Sequence, residues 1–170
     1  NNYLIPDVSD EFNARMDLSK YNYLKSGRNP WQDPYWYRTE VVLPKSYKGK
    51  KVWLTLNGIN YRADVWVNGR QVADKKDIVG MFRRFKLDIT GYARAGANNC
   101  IAIKIYQVDH PGVPTPGTQL KVFGPVRGHS YDIFKDETLK ISGGWDCAPV
   151  VRDRNMGIYQ KVIVEATDEV

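Results

Sequence analysis

Side chains that could do acid–base, nucleophilic or metal chemistry are few in this chain and poorly spaced for it. Two carboxylate clusters, Asp7/Asp10/Glu11 and Asp136/Glu137, could in principle supply a general acid and base. Both sit among loop-forming residues, where such clusters are ordinarily just solvated. The two histidines, His110 and His129, share one Pro- and Gly-rich stretch, and a metal site on them would have to borrow carboxylates from elsewhere. There is no Gly-x-Ser-x-Gly elbow, no Walker-type phosphate loop and no His-Glu-x-x-His helix. The residues themselves therefore give no catalytic constellation, no metal site and no cofactor, and they point to binding or structure.

Aromatic rings are the better represented resource, with 5 Trp and 11 Tyr. Most of these belong to a core or to ordinary surface. Those in loops or at strand ends, Trp31, Tyr35, Tyr61 and Trp145, are candidates for a carbohydrate platform. Sugar C–H faces stack on rings, while sugar hydroxyls seek Asp, Asn and Arg. The net charge of +6 permits an anionic partner, but the basic residues are scattered: Lys48, Lys50 and Lys51, then Arg70, Lys75 and Lys76, then Arg83-Arg84. With no basic helix and no aromatic RNA-binding stretch, nucleic acid is not an expected partner. No apolar run approaches the ~18 residues a membrane helix needs, so a spanning helix is not expected either. Cys100 and Cys147 can pair or stand free, and the reading taken is two free thiols, with Cys100 a small hydrophobe in a strand.

The elements that must carry these residues are strands. Tyr35 to Leu43 alternates aromatic and β-branched residues with a period of two, and Pro44 ends it. Val52–Leu56, Ala63–Val67, Phe82–Ile89, Ile101–Ile105 and Ile158–Glu165 read the same way, with short pairing segments expected near Tyr131–Phe134 and Thr138–Ile141. Asn68-Gly69 tolerates the positive φ angles of a tight type I′ hairpin. Residues 1–34, broken by Pro6, Pro30 and Pro34, read as an irregular lead-in with one helical turn near Glu11–Met16. Strands with one apolar face each need a second sheet to cover them. The expected fold is all-β, a two-sheet antiparallel jelly-roll sandwich: a lead-in over 1–34 packed on a domain over 35–170.

Several segments, in order and at their spacing, carry a family resemblance. Tyr37-Arg38-Thr39-Glu40 comes first, then the block from Leu56 through Asn57-Gly58-Ile59-Asn60-Tyr61-Arg62-Ala63-Asp64-Val65-Trp66 to Asn68-Gly69. Gly80-Met81-Phe82-Arg83-Arg84-Phe85 follows, then Gly143-Gly144-Trp145-Asp146, and last Arg152 to Tyr159. Together they resemble the N-terminal, sugar-binding jelly-roll domain of glycoside hydrolase family 2, galactose-binding-domain-like in fold. The branch most similar holds the exo-β-glucosaminidases and β-mannosidases.

That resemblance implies an accessory domain of a β-glycosidase of β-mannosidase, β-glucosaminidase or β-galactosidase type. It would pack on a catalytic (β/α)8 barrel of the same parent chain and take part in carbohydrate metabolism as part of a retaining hydrolase, with a β-linked glycan as partner. It implies that Trp145 and Asp146 reach the sugar; the alternative is that Trp145 fills the seam between domain and barrel while Asp146 pairs with Arg152 or Arg154. Asn60, Tyr61, Asp64, Asn68, Gly69, Arg154, Asn155 and Gly157 are implied as the structural motif. Asp64 is expected to hydrogen-bond within the sandwich, and Arg154 and Asn155 to satisfy loop carbonyls. The family commonly has Trp-Asp-Trp where this chain has Trp145-Asp146-Cys147, so one wall of the sugar site is smaller or rebuilt. The resemblance also implies a further stretch ahead of Asn1, so an excised or trimmed domain is expected. A secreted or periplasmic compartment is favoured. The rival readings are a free-standing carbohydrate-binding module and a purely structural spacer.

Overall fold

The computed structural model describes residues 33–110, 135–140 and 156–168. These fall into two compact units, 34–106 with 156–168, and 33 with 107–110 and 135–140.

The larger unit is all-β. Its strands are β1 (Tyr35–Val42), β2 (Lys51–Leu56), β3 (Ile59–Asn60), β4 (Arg62–Val67), β5 (Arg70–Ala73), β6 (Phe85–Asp88), β7 (Asn98–Tyr106), β8 (Gly157–Ile158) and β9 (Val162–Thr167). Its described residues hold one 3-10 turn, Lys45–Tyr47, and no α-helix. The strands form a four-stranded sheet in the order β1–β7–β4–β5, a three-stranded sheet β6–β2–β9 and the short pair β3–β8, all antiparallel. This is the two-sheet sandwich of a jelly roll.

Alternation decides the inside. Val52, Leu54 and Leu56 of β2, Ala63, Val65 and Val67 of β4, and Ile101, Ile103 and Ile105 of β7 are all buried, while the residues between them are more open. Each of the Val, Leu and Ile side chains contributes ~1.5–3 kcal/mol by leaving water. β1 lies along the full length of β7, from Tyr35 opposite Ile105 to Val42 opposite Asn98.

The β4–β5 corner is set by Asn68 and Gly69, whose φ angles of 52° and 81° are the positive pair a type I′ turn requires. Asn68 also ties that corner to β7. Its side-chain Nδ2 donates to the Tyr92 carbonyl at 2.8 Å and to Asn99 Oδ1 at 2.9 Å, and its Oδ1 accepts from Cys100 N at 3.0 Å. The buried Asn99 is filled in turn by bonds to Arg94 and Ala97.

In the smaller unit, Asp136 is 4% exposed and accepts a hydrogen bond from His110 N at 2.7 Å, while its other oxygen lies 2.7 Å from His110 Nδ1.

Three expectations are corrected. The strand expected over Phe82–Ile89 is limited to Phe85–Asp88. The strand expected over Ile158–Glu165 is two, β8 and β9, broken where the Tyr159 and Gln160 amides both turn to the Gly58 carbonyl. Residues 138–140, from the segment expected to pair near Ile141, are not strand. The helical turn near Glu11–Met16 and the strand near Tyr131–Phe134 lie outside the described residues.

Replacing Asn68 tests the corner. Asn68→Ala strips three groups of a partner and leaves a Cβ in the left-handed region, so it should cost at least ~2 kcal/mol in urea unfolding. Asn68→Gly relieves only the backbone part and should recover only ~1 kcal/mol of that loss. Equal stability of Asn68→Gly and the native chain would show that the amide bonds contribute nothing.

Candidate functional site

A concavity among the described residues lies at one end of the three-stranded sheet. Leu56 ends β2 opposite Phe85 of β6 on one side and Val162 of β9 on the other. One step beyond that row come Asn57, Arg84 and Lys161, so the sheet's own register sets two cations on either side of an amide. Asn57 is fixed from both ends: its backbone N and its Nδ2 donate to the Lys161 carbonyl at 3.2 and 3.0 Å.

Gly58 shapes the next wall. A Cβ on it would fall 2.6 Å from Tyr159 Cζ and 2.7 Å from Gln160 Cγ, so the ring lies directly on the glycine backbone. The Gly58 carbonyl accepts from both Tyr159 N and Gln160 N, each at 3.3 Å. The Tyr159 hydroxyl donates to the Met81 carbonyl, which locks the ring against the 80–84 loop. That loop, between β5 and β6, is tied to the residue before β4 by a bond from Gly80 N to the Tyr61 carbonyl at 2.9 Å. The result is a cleft of about 440 Å³ lined by Asn57, Phe82, Arg84, Tyr159, Gln160 and Lys161. Phe82 is 65% and Tyr159 44% exposed.

The residues singled out from the sequence are distributed as follows. Trp145, Asp146, Arg154 and Asn155 lie outside the described residues, as do Trp31, His129 and Cys147. Tyr61 is 5% exposed, so its ring offers no open platform, which corrects its candidacy as a sugar-stacking residue. Tyr35 is half-buried at the start of β1. Asn60 is buried and stands opposite Gly157 in the β3–β8 pair. Gly157 has φ +149°, and a Cβ there would sit 2.7 Å from the Tyr37 hydroxyl. Asn68 and Gly69 make the hairpin described above. Cys100 is a free thiol, half-buried on β7.

Asp64 faces outward from β4. Its Oδ2 accepts from the Tyr106 hydroxyl at 2.5 Å and its Oδ1 from Lys75 N at 2.7 Å. Burial first, then the hydrogen bond to Asp64 and its negative charge, push the Tyr106 phenol up to about 12. Among the described residues no three of His, Cys, Asp and Glu stand close enough to hold a metal ion.

The cleft was not read from the sequence, although a signal for part of it was there. Phe82 is out of phase with Phe85, Leu87 and Ile89, so a single strand through all four cannot bury them on one face.

Comparison with known proteins places the chain. The family model described as Glycosyl hydrolase 2 galactose-binding domain-like matches residues 20–160. The mannosylglycoprotein endo-beta-mannosidase of Lilium longiflorum is 33% identical over 162 residues, covering 95% of this chain and 15% of that protein. The exo-beta-D-glucosaminidase of Amycolatopsis orientalis is 30% identical over 138 residues, covering 81% and 10%. That of Streptomyces avermitilis is 36% identical over 144 residues, covering 84% and 13%. The chain thus spans between 10% and 15% of the length of these relatives.

Two substitutions check the geometry. The folded chain holds the Tyr106 proton through a window in which the unfolded chain, titrating near ~10, has lost it. Stability therefore falls as pH rises from ~10 to ~12, and Tyr106→Phe should flatten that fall; an unchanged slope would contradict the Asp64 bond. Gly58→Ala should displace the Tyr159 ring and cost ~1–3 kcal/mol by overpacking, read as a lower urea midpoint and altered Tyr159 ring resonances. An unaltered Tyr159 environment would contradict the contact.

Proposed function

The chain belongs to the Glycosyl hydrolase 2 galactose-binding domain-like family, and from that premise we propose that it is the accessory, sugar-contacting domain of a larger β-glycosidase. A separate catalytic (β/α)8 barrel in the same parent chain would carry the carboxylates that cleave the glycosidic bond. The observation that carries this reading is the family match over 20–160, together with the small share that the chain covers of relatives named as glycosidases. Two of the described carboxylates are engaged within the chain. Asp64 is committed to Tyr106 and Lys75, and the buried Asp136 is committed to His110.

Within that role, Trp145 and Asp146 are the residues proposed to reach the substrate. In the sequence they stand between Gly143-Gly144 and Pro149, residue types that favour a loop. A carboxylate accepts hydrogen bonds from two sugar hydroxyls, and an indole gives a face for stacking and one N–H donor. Cys147 stands where the family commonly has a ring, so in this reading one wall of the site is smaller or rebuilt.

The test is kinetic. Asp146→Ala in the full-length enzyme should lower kcat/KM at least ~10-fold, because a hydrogen bond to a charged group contributes ~1.5–3 kcal/mol. The same substitution should leave the unfolding midpoint of the 170-residue chain nearly unchanged. That chain alone should not hydrolyse an aryl β-glycoside above background. Turnover by the chain alone, or normal kinetics of the full-length variant, would overturn the proposal.

A further inference from the structure

We propose that the cleft at the end of the three-stranded sheet is a binding site for a negatively charged sugar residue, one bearing a carboxylate or a sulfate. It needs nothing from Trp145 or Asp146, and stands or falls separately from the role proposed for them.

The case begins with charge. Several described cations of the larger unit have partners: Lys86 pairs with Glu165 at 3.0 Å, Lys50 with Asp168 at 2.8 Å, and Arg38 with Glu40. Lys75 and Lys104 lie over the Tyr106 ring. Arg84 and Lys161 have no such partner among the described residues, and neither do Lys45, Lys48 or Lys76; what sets Arg84 and Lys161 apart is that both line the same cleft. The register of β6–β2–β9 places them on the two strands flanking Asn57. Neighbouring strands lie ~4.8 Å apart, so the two backbones stand roughly two such spacings from each other. An anion bound between them would be met from both sides. Arg84 offers a planar fork that fits two oxygens at once, and Lys161 a mobile point charge.

The remaining lining fits a sugar better than a bare anion. Asn57 spends its Nδ2 donor on the Lys161 carbonyl, which leaves its Oδ1 to accept from a hydroxyl. The Gln160 amide can both donate and accept. Phe82 and Tyr159 present exposed rings, and the Tyr159 ring is held in place by Gly58 beneath it and by its bond to the Met81 carbonyl. A ring fixed before binding loses no rotamer freedom on contact. The volume of about 440 Å³ falls in the ~300–1,000 Å³ range of small-molecule sites.

The experiment titrates the 170-residue chain in a calorimeter with three disaccharides of the same backbone: one ending in a uronate, one carrying a sulfate ester, and one neutral. At least one charged disaccharide should bind ~10-fold or more tightly than the neutral one, with affinity falling as salt rises. The stronger of the two charged arms identifies the group. Arg84→Gln and Lys161→Gln should each weaken that binding ~10-fold and erase the preference over the neutral sugar. Both residues are exposed, so circular dichroism should show native folds; if one variant fails to fold, the other gives the same reading. Equal binding of all three disaccharides, no binding of either charged one, or native affinity in a folded variant would each overturn the assignment.

Discussion

Strand β7 buries Ile101, Ile103 and Ile105, and it cannot slip by one residue without turning all three out and Lys104 in. Such a slip would give up several kcal/mol of apolar burial, at ~1.5–3 kcal/mol a side chain, and would set an unpaired ammonium in the core. That asymmetry fixes β7, and β7 fixes its neighbours. β1 follows it from end to end, and β4 pairs with it from Arg62 opposite Tyr106 to Val67 opposite Ile101. With the register set, Tyr106 reaches Asp64 and Cys100 N reaches Asn68. The polar contacts of the outer face thus follow from an apolar decision on the inner one.

The three-stranded sheet shows the same logic at its end. β2 is held between β6 and β9 by Val52, Leu54 and Leu56, and the row that follows Leu56 has no core left to join. Asn57, Arg84 and Lys161 occupy that row, with Gly58 admitting Tyr159 where any side chain would exclude it. A cleft there is a consequence of where the hydrophobic ladder stops. The groups around it lie next to the paired ends of β2, β6 and β9, whose register holds them.

Much of the fold was legible in the sequence because alternation and turn chemistry are local. The strands through Tyr35, Leu54, Val65 and Ile103 could be read from period-two patterns, and the hairpin from Asn68-Gly69. What failed was non-local. Ile158, Gln160, Val162 and Val164 alternate without a break, so nothing nearby reveals that the Gly58 carbonyl captures two amides and splits the strand. Tyr61 looks like a loop aromatic from its neighbours, yet it is buried. The cleft draws on residues far apart in the chain, and only the register joins them. Of the site implied by family resemblance, Trp145, Asp146, Arg154 and Asn155 lie outside the described residues, and their roles rest on the motif alone.

The proposed role is that of a domain that binds and positions while another part of the parent protein cleaves. The most direct measurement of that claim is a crystal structure of the full-length enzyme with a non-hydrolysed substrate analogue. The account predicts the Asp146 carboxylate within hydrogen-bond distance of two sugar hydroxyls, with the Trp145 ring against the sugar at the mouth of the barrel. An Asp146 turned away from the sugar and paired with Arg152 or Arg154 would contradict it.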